Sequence, residues 1–147
     1  MNTRLITSML LFSILFSACK KNESLPSIEE YLTSNNLNGS VVKDTRGFYY
    51  KILEPGSGAT ATISSKVKTL YKGMLTNGTV FDQSLTSPIE FPLGNVILGW
   101  QYGIPLIKPG GKIILYLPPS LGYGPYGTGP IPGNAGLIFE VTLVSVN

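Results

Sequence analysis

The sequence predicts an α+β domain rich in turns, and three observations carry that prediction. The chain has 147 residues with 17 glycines and 11 prolines, and only 13% are charged, which suits short strands and tight turns better than a helical bundle. Several short runs alternate apolar and polar residues with the period of two that a half-buried strand requires. One stretch departs from that period: Trp100, Gly103, Ile104 and Ile107 fall at i, i+3, i+4 and i+7, one face of a helix. Trp100 is the only tryptophan, and the β-branched Val96 and Ile97 precede it in a turn between glycines.

The N-terminal third reads differently from the rest. Residues 1–18 have the form of a secretory signal peptide, with Arg4 ahead of an apolar run that ends in Ser17-Ala18. That run is too short to span a bilayer comfortably. Phe16-Ser17-Ala18-Cys19 resembles a bacterial lipobox, whose cysteine is diacylated and becomes the first residue, although Phe16 stands where leucine is usual. Cys19 is thus the expected lipidation site, with plain secretion as the alternative. Residues 19–45 are read as a lipidated tether carrying a short helix. Ser27-Ile28-Glu29-Glu30 has capping-box spacing, and Ile28, Tyr31 and Leu32 share a face before Asn38-Gly39. A helix this short is marginal alone, so it is expected to dock on the domain, with dimerisation as the other use.

Residues 46–147 form the expected domain. Phe48, Tyr50 and Ile52 alternate with Tyr49, Lys51 and Leu53. Val67, Thr69 and Tyr71 alternate with Lys66, Lys68 and Lys72, which turns Tyr71 inward. Asn77-Gly78 signals a hairpin returning through Val80-Phe81-Asp82, and Ile89 and Phe91 suggest another short β run. Pro105 should end or kink the central helix, since it lacks the N–H. Residues 113–117 are apolar throughout, as in a strand covered on both faces. The last strand alternates through Leu137, Phe139, Val141 and Leu143. Between these two strands, 11 of the 19 residues 118–136 are glycine or proline. A loop this long inside a compact domain is more often functional than not, and it carries Tyr123, Tyr126 and Ile131.

Composition also excludes chemistry. With no histidine and one cysteine, the chain has no intrachain disulfide, no Ser-His-Asp triad and no zinc pattern built on Cys or His clusters. The net charge is +3, and loss of Arg4 with the signal leaves ten basic residues against eight acidic ones. They are interspersed, which argues against nucleic acid as a partner.

The motifs Thr69-Leu70-Tyr71-Lys72-Gly73-Met74-Leu75, Thr79-Val80-Phe81-Asp82, Val96-Ile97-Leu98-Gly99-Trp100, Gly122-Tyr123-Gly124 and Leu137-Ile138-Phe139-Glu140-Val141 occur together in this order. In order and spacing the chain resembles the FKBP-type peptidyl-prolyl cis-trans isomerases over about residues 47–146. The resemblance implies a strongly twisted antiparallel β-sheet wrapped around one short α-helix, with a pocket between them. Trp100 would be the pocket floor. Tyr71, Phe81, Val96, Ile97, Tyr123 and Phe139 would be its walls, with Ile89 beside them, Ile131 on the loop above and Asp82 at the rim. It further implies that the Ile97 backbone N–H and the Tyr123 hydroxyl hold ligand carbonyls, and that no cofactor or metal is needed. Each of these residues also has a plainer reading, as core aromatic, turn cap or loop packing, and only the joint pattern outweighs it.

Three departures bear on specificity. Ile89 replaces an aromatic wall residue of many relatives. Residues 83–87 are short and lack the arginine that pairs with the carboxylate in some of them. Pro130 precedes Ile131 where an aliphatic residue is frequent. The expected function is isomerisation of Xaa-Pro bonds in exported proteins, in the cell envelope and at the outer membrane through the lipid anchor. Proline-containing polypeptides would be the partners, and macrolides a second ligand class, with altered preference. The alternatives are a non-catalytic chaperone that binds proline segments and a structural or glycan-binding surface lipoprotein.

Overall fold

A computed structural model describes residues 24–147. The signal segment and Cys19 lie outside the described residues. Six strands form one antiparallel sheet in the order β1-β2-β5-β6-β3-β4. They are β1 (Val42–Lys43), β2 (Tyr49–Glu54), β3 (Lys66–Leu75), β4 (Val80–Pro92), β5 (Lys112–Leu117) and β6 (Leu137–Val146). Helix α1 (Ile28–Ser34) precedes the sheet, and α2 (Leu98–Gly103) sits between β4 and β5.

The inner face of the sheet and α2 share the main core. Val67, Thr69 and Tyr71 of β3 are buried as their alternation requires, with Ile113, Leu115 and Leu117 of β5 and Leu137, Phe139, Val141 and Leu143 of β6. Trp100, Ile104 and Ile107 close this core from the helix side. Gly99 allows the approach, since a Cβ there would fall 2.3 Å from Leu117 Cδ1. At Pro105 the α-helix has already given way to a 3-10 turn, Ile104–Leu106, as a residue without an N–H requires.

The outer face has its own cover. Ile28 and Leu32 of α1 are buried against Tyr116 and Ile138, the outward-facing residues of β5 and β6. This is why residues 113–117 are apolar without alternation: α2 covers one face and α1 the other. Ser27 and Glu30 form the expected capping box, with Glu30 N–H donating to Ser27 Oγ at 3.2 Å and Ser27 N–H to Glu30 Oε2 at 2.7 Å. The helix ends earlier than Asn38-Gly39. Asn36 adopts φ 55°, and the N–H groups of Asn36 and Leu37 donate to the carbonyls of Thr33 and Leu32. This is a Schellman ending with asparagine in the left-handed position, and its Leu32 and Leu37 join the outer cluster. Leu25 packs against the main core and Thr76 Oγ1 donates to Pro26 O at 2.7 Å. Most of the segment expected as a tether is therefore part of the folded domain.

Two strand expectations change. Ile52 is 39% exposed despite its place in the β2 alternation, because the β2–β5 register shifts between Ile52 and Glu54. The two β runs expected around Phe81 and Ile89 are one strand, β4. Its pairing passes from Tyr71↔Ser84 to Thr69↔Ile89, so residues 85–88 bulge opposite Leu70. The β3–β4 turn is closed by Gly78 N–H to Leu75 O and Leu75 N–H to Thr79 O, both at 2.9 Å, with Gly78 at φ 85°. This is a three-residue hairpin loop with glycine in the left-handed bulge position.

Candidate active site

The inner face of β3, β4 and β6 meets the start of α2 at a cavity of about 310 Å³. That is the lower end of the range for small-ligand clefts, ~300–1,000 Å³. Its floor is Trp100, whose ring is met nearly edge-on by three others. Tyr71 and Phe139 stand 5.4 Å from it between centroids and Phe91 5.7 Å, with interplanar angles of 82–84°. Such T-shaped pairs set the positive edge of one ring against the negative face of another, worth ~0.5–1.5 kcal/mol each beyond area burial. Phe81 extends the wall by packing on Phe139 at 5.5 Å and 82°. Gly73 pairs with Asp82 on one side and Phe139 on the other, and a Cβ there would fall 2.6 Å from Phe81 and 2.9 Å from Phe139. A side chain at this point of β3 would push the wall apart.

The polar groups are few. Tyr71 donates its hydroxyl to Asp82 Oδ2 at 2.7 Å. Burial, then this hydrogen bond to the carboxylate, pushes the Tyr71 phenol well above its ordinary range, so it stays a donor. The bond orients Asp82 without the arginine that the sequence lacks. Tyr123, on the loop after β5, is raised too, by burial first and then by the Asp82 charge. Among the described residues the Tyr123 hydroxyl and the Ile97 N–H have no hydrogen-bond partner in the protein. The loop that carries Tyr123 is not loose: Gly124 N–H donates to Pro119 O, Asn134 N–H to Gly124 O, and Thr128 and Ile131 exchange a pair of bonds.

Eight sequence-predicted residues line this cavity together: Tyr71, Phe81, Asp82, Val96, Ile97, Trp100, Tyr123 and Phe139. Two do not. Ile89 is 40% exposed and pairs with Thr69, and the wall assigned to it is supplied by Phe91. Ile131 is buried in the core and borders a second depression beside the cavity, shared with Phe81, Asp82 and Tyr123. Phe91 and Asn95 line the cavity and are absent from the sequence assignment. Phe91 was visible as a β residue, because it shares a strand face with Ile89. No sequence signal marks Asn95. Among the described residues no cluster of His, Cys, Asp and Glu could hold a metal.

This geometry agrees with what the chain resembles in known proteins. The family described as FKBP-type peptidyl-prolyl cis-trans isomerase matches residues 58–144. The chain belongs to that family. It is 41% identical over 120 residues to the FKBP-type peptidyl-prolyl cis-trans isomerase FkpA of Aeromonas hydrophila, covering 80% of this chain and 45% of that one. With the peptidyl-prolyl cis-trans isomerase Mip of Coxiella burnetii the identity is 43%, covering 79% and 52%. The crystal structure of FkpA from Escherichia coli superposes with a TM-score of 0.77 at 39% identity, over 82% of this chain and 57% of that one. A peptidyl-prolyl cis-trans isomerase structure from Pseudomonas syringae gives 0.73 at 30% identity, over 82% and 90%. The chain spans about half the length of the curated relatives named here, and the fold expected from the sequence, a β-sheet around a short helix, is the fold they share.

Proposed function

We propose that the protein is a peptidyl-prolyl cis-trans isomerase acting on exported polypeptides in the cell envelope. The observation that carries this reading is the aromatic cavity itself, five rings deep around Trp100, with one carboxylate at its rim. Rotation about a peptide C–N bond is opposed by ~18–20 kcal/mol of lost resonance. Only before proline do cis and trans lie within ~0.5–1 kcal/mol, so only there is exchange useful. Uncatalysed exchange takes ~10–100 s, slow enough to limit folding.

The cavity supplies what this reaction needs without covalent chemistry. A planar amide carries more charge on its oxygen than a twisted one, and water stabilises the planar form more. Moving the bond among Tyr71, Phe91, Trp100 and Phe139 removes that water and raises the planar state toward the twisted one. The Ile97 N–H and the Tyr123 hydroxyl, both unpaired within the described protein, would hold carbonyls on either side of the rotating bond. Asp82, fixed by Tyr71, would place a negative charge beside the carbonyl that swings.

The lipid anchor at Cys19 and an outer-membrane position belong to this proposal as well. Their support is the lipobox-like Phe16-Ser17-Ala18-Cys19 and the absence of any other cysteine. Macrolides are proposed as a second ligand class of the same cavity.

A protease-coupled assay on a short Xaa-Pro peptide tests the activity. Wild type is expected to accelerate exchange. Trp100→Ala should abolish most of that activity and cost ~3–5 kcal/mol of stability, the usual loss for a buried large aromatic. Tyr123→Phe keeps the ring and removes one hydrogen bond of ~0.5–1.5 kcal/mol, so activity should fall about tenfold or less. Peptide binding without turnover by wild type would point instead to a non-catalytic chaperone.

A further inference from the structure

Part of the cavity wall is a short link, Asn95-Val96-Ile97, between a 3-10 turn (Leu93–Asn95) and α2. This link has little support of its own. The 3-10 turn closes on it through Val96 N–H to Leu93 O at 3.4 Å, a long bond. Ile97 caps α2 with no side-chain hydrogen bond. The Ile97 N–H donates to nothing among the described residues.

Gln101 lies one turn into α2, and its backbone N–H donates to Ile97 O at 3.2 Å. Its side chain reaches back along the helix. Nε2 stands 2.8 Å from Val96 O and 3.3 Å from Gly94 O. A primary amide has two N–H donors, so one side chain can tie both the carbonyl just before the link and the one at its middle residue to the helix. A glutamine on a helix surface ordinarily faces water and could be changed freely. Here it is half-buried, and its amide is committed to carbonyls within and just before the segment that forms the wall.

We propose that Gln101 is a positioning residue of the isomerase site: it sets where Val96 and the Ile97 N–H stand in the wall of the cavity that Tyr123 and Asp82 also line. The proposal rests on the isomerase reading for its consequence in turnover, and on the two hydrogen bonds for its geometry. Two substitutions separate the donors from the shape. Gln101→Met keeps length and approximate volume and has no donor. Gln101→Glu presents a carboxylate to two carbonyl oxygens at neutral pH. Below its pKa, ordinarily ~4.3, it recovers one O–H donor for the Val96 carbonyl.

The experiment combines NMR exchange measurements of turnover on a short Xaa-Pro peptide between pH 4 and 8 with the backbone amide spectrum of each protein. For Gln101→Met, kcat/KM should fall about tenfold at every pH, the order expected for two lost hydrogen bonds. Its thermal midpoint should stay within about 4 °C of wild type, a change of ~1 kcal/mol or less. Gln101→Glu should resemble Gln101→Met at pH 8 and recover toward wild type as the pH falls to 4, each compared with wild type at the same pH. In both variants the Ile97 amide resonance should move at neutral pH. Wild-type turnover in Gln101→Met, loss of turnover with an unmoved Ile97 resonance, or a Gln101→Glu profile parallel to Gln101→Met would each overturn the proposal. Absence of turnover in wild type would overturn the isomerase reading alone, because the Ile97 resonance decides the role of Gln101 without it.

Discussion

Tyr71 performs two tasks with one side chain. Its ring stands edge-on to Trp100 and its hydroxyl holds Asp82. The two can be separated by Tyr71→Phe, which keeps the wall and frees the carboxylate. Asp82 is exposed and regains water when released, so the stability cost should lie near ~0.5–1.5 kcal/mol, the value for an ordinary hydrogen bond. Turnover on an Xaa-Pro peptide should drop roughly three- to tenfold, within the worth of one such bond. The pH dependence has a definite sign. The folded-state phenol of Tyr71 is raised by burial and by its bond to Asp82, so the unfolded chain loses that proton first. The resulting stability is full below the unfolded value of ~10 and is lost as pH rises above it. Denaturant titrations from pH 9 to 11 should therefore show a shallower decline for Tyr71→Phe than for wild type. Parallel declines would mean that Tyr71 is not the group responsible.

At the scale of elements, α1 is as much a part of the sheet as its strands. Leu32 is fully buried and Ile28 nearly so, against Tyr116 and Ile138. Leu32→Ala should destabilise the domain by ~2–5 kcal/mol, as for other buried leucines, while leaving peptide turnover of the folded fraction unchanged. A chain beginning at Val42 exposes the outer faces of β5 and β6 and should melt at a lower temperature and self-associate. It keeps every cavity residue and should retain turnover when folded. Equal melting of the shortened and full chains would show that α1 contributes nothing. The helix was legible because Ser27, Glu30, Ile28 and Leu32 carry local signals of cap and face. Tyr71, Trp100 and Phe139 were legible through strand alternation, helical spacing and the motifs around them. The Ile89 assignment failed for a reason that alternation cannot reveal: Ile89 and Phe91 lie two apart on one face of β4, so parity treats them alike. Only the bulge at residues 85–88 and the approach of α2 decide that Phe91 meets Trp100. Gln101 was invisible for a related reason, since its partners are carbonyls, and every residue offers a carbonyl.

At the scale of the whole molecule, the two faces of the sheet have different work. The cavity opens on the inner face, and α1 covers the outer one, with Leu25 packed against the main core. Six residue steps separate Leu25 from Cys19, which at the ~3.5 Å maximum per residue is a reach of roughly 20 Å. If Cys19 carries the anchor, the domain works close to the bilayer surface rather than at the end of a long leash. A single acyl chain gives only marginal, reversible attachment, and a diacylated cysteine supplies the second chain that stable anchoring requires. Among the described residues no helix is long and apolar enough to cross a membrane, so within that part of the chain no helical span competes with the lipid. Cys19→Ser should therefore move the protein from the membrane fraction to the soluble fraction. Because every residue that lines the cavity lies between Tyr71 and Phe139, turnover of a short Xaa-Pro peptide should be unchanged in the released protein. Fractionation of Cys19→Ser wholly with membranes would overturn the anchor and leave the cavity chemistry untouched. Release accompanied by lost turnover would instead show that the anchor segment takes part in the site.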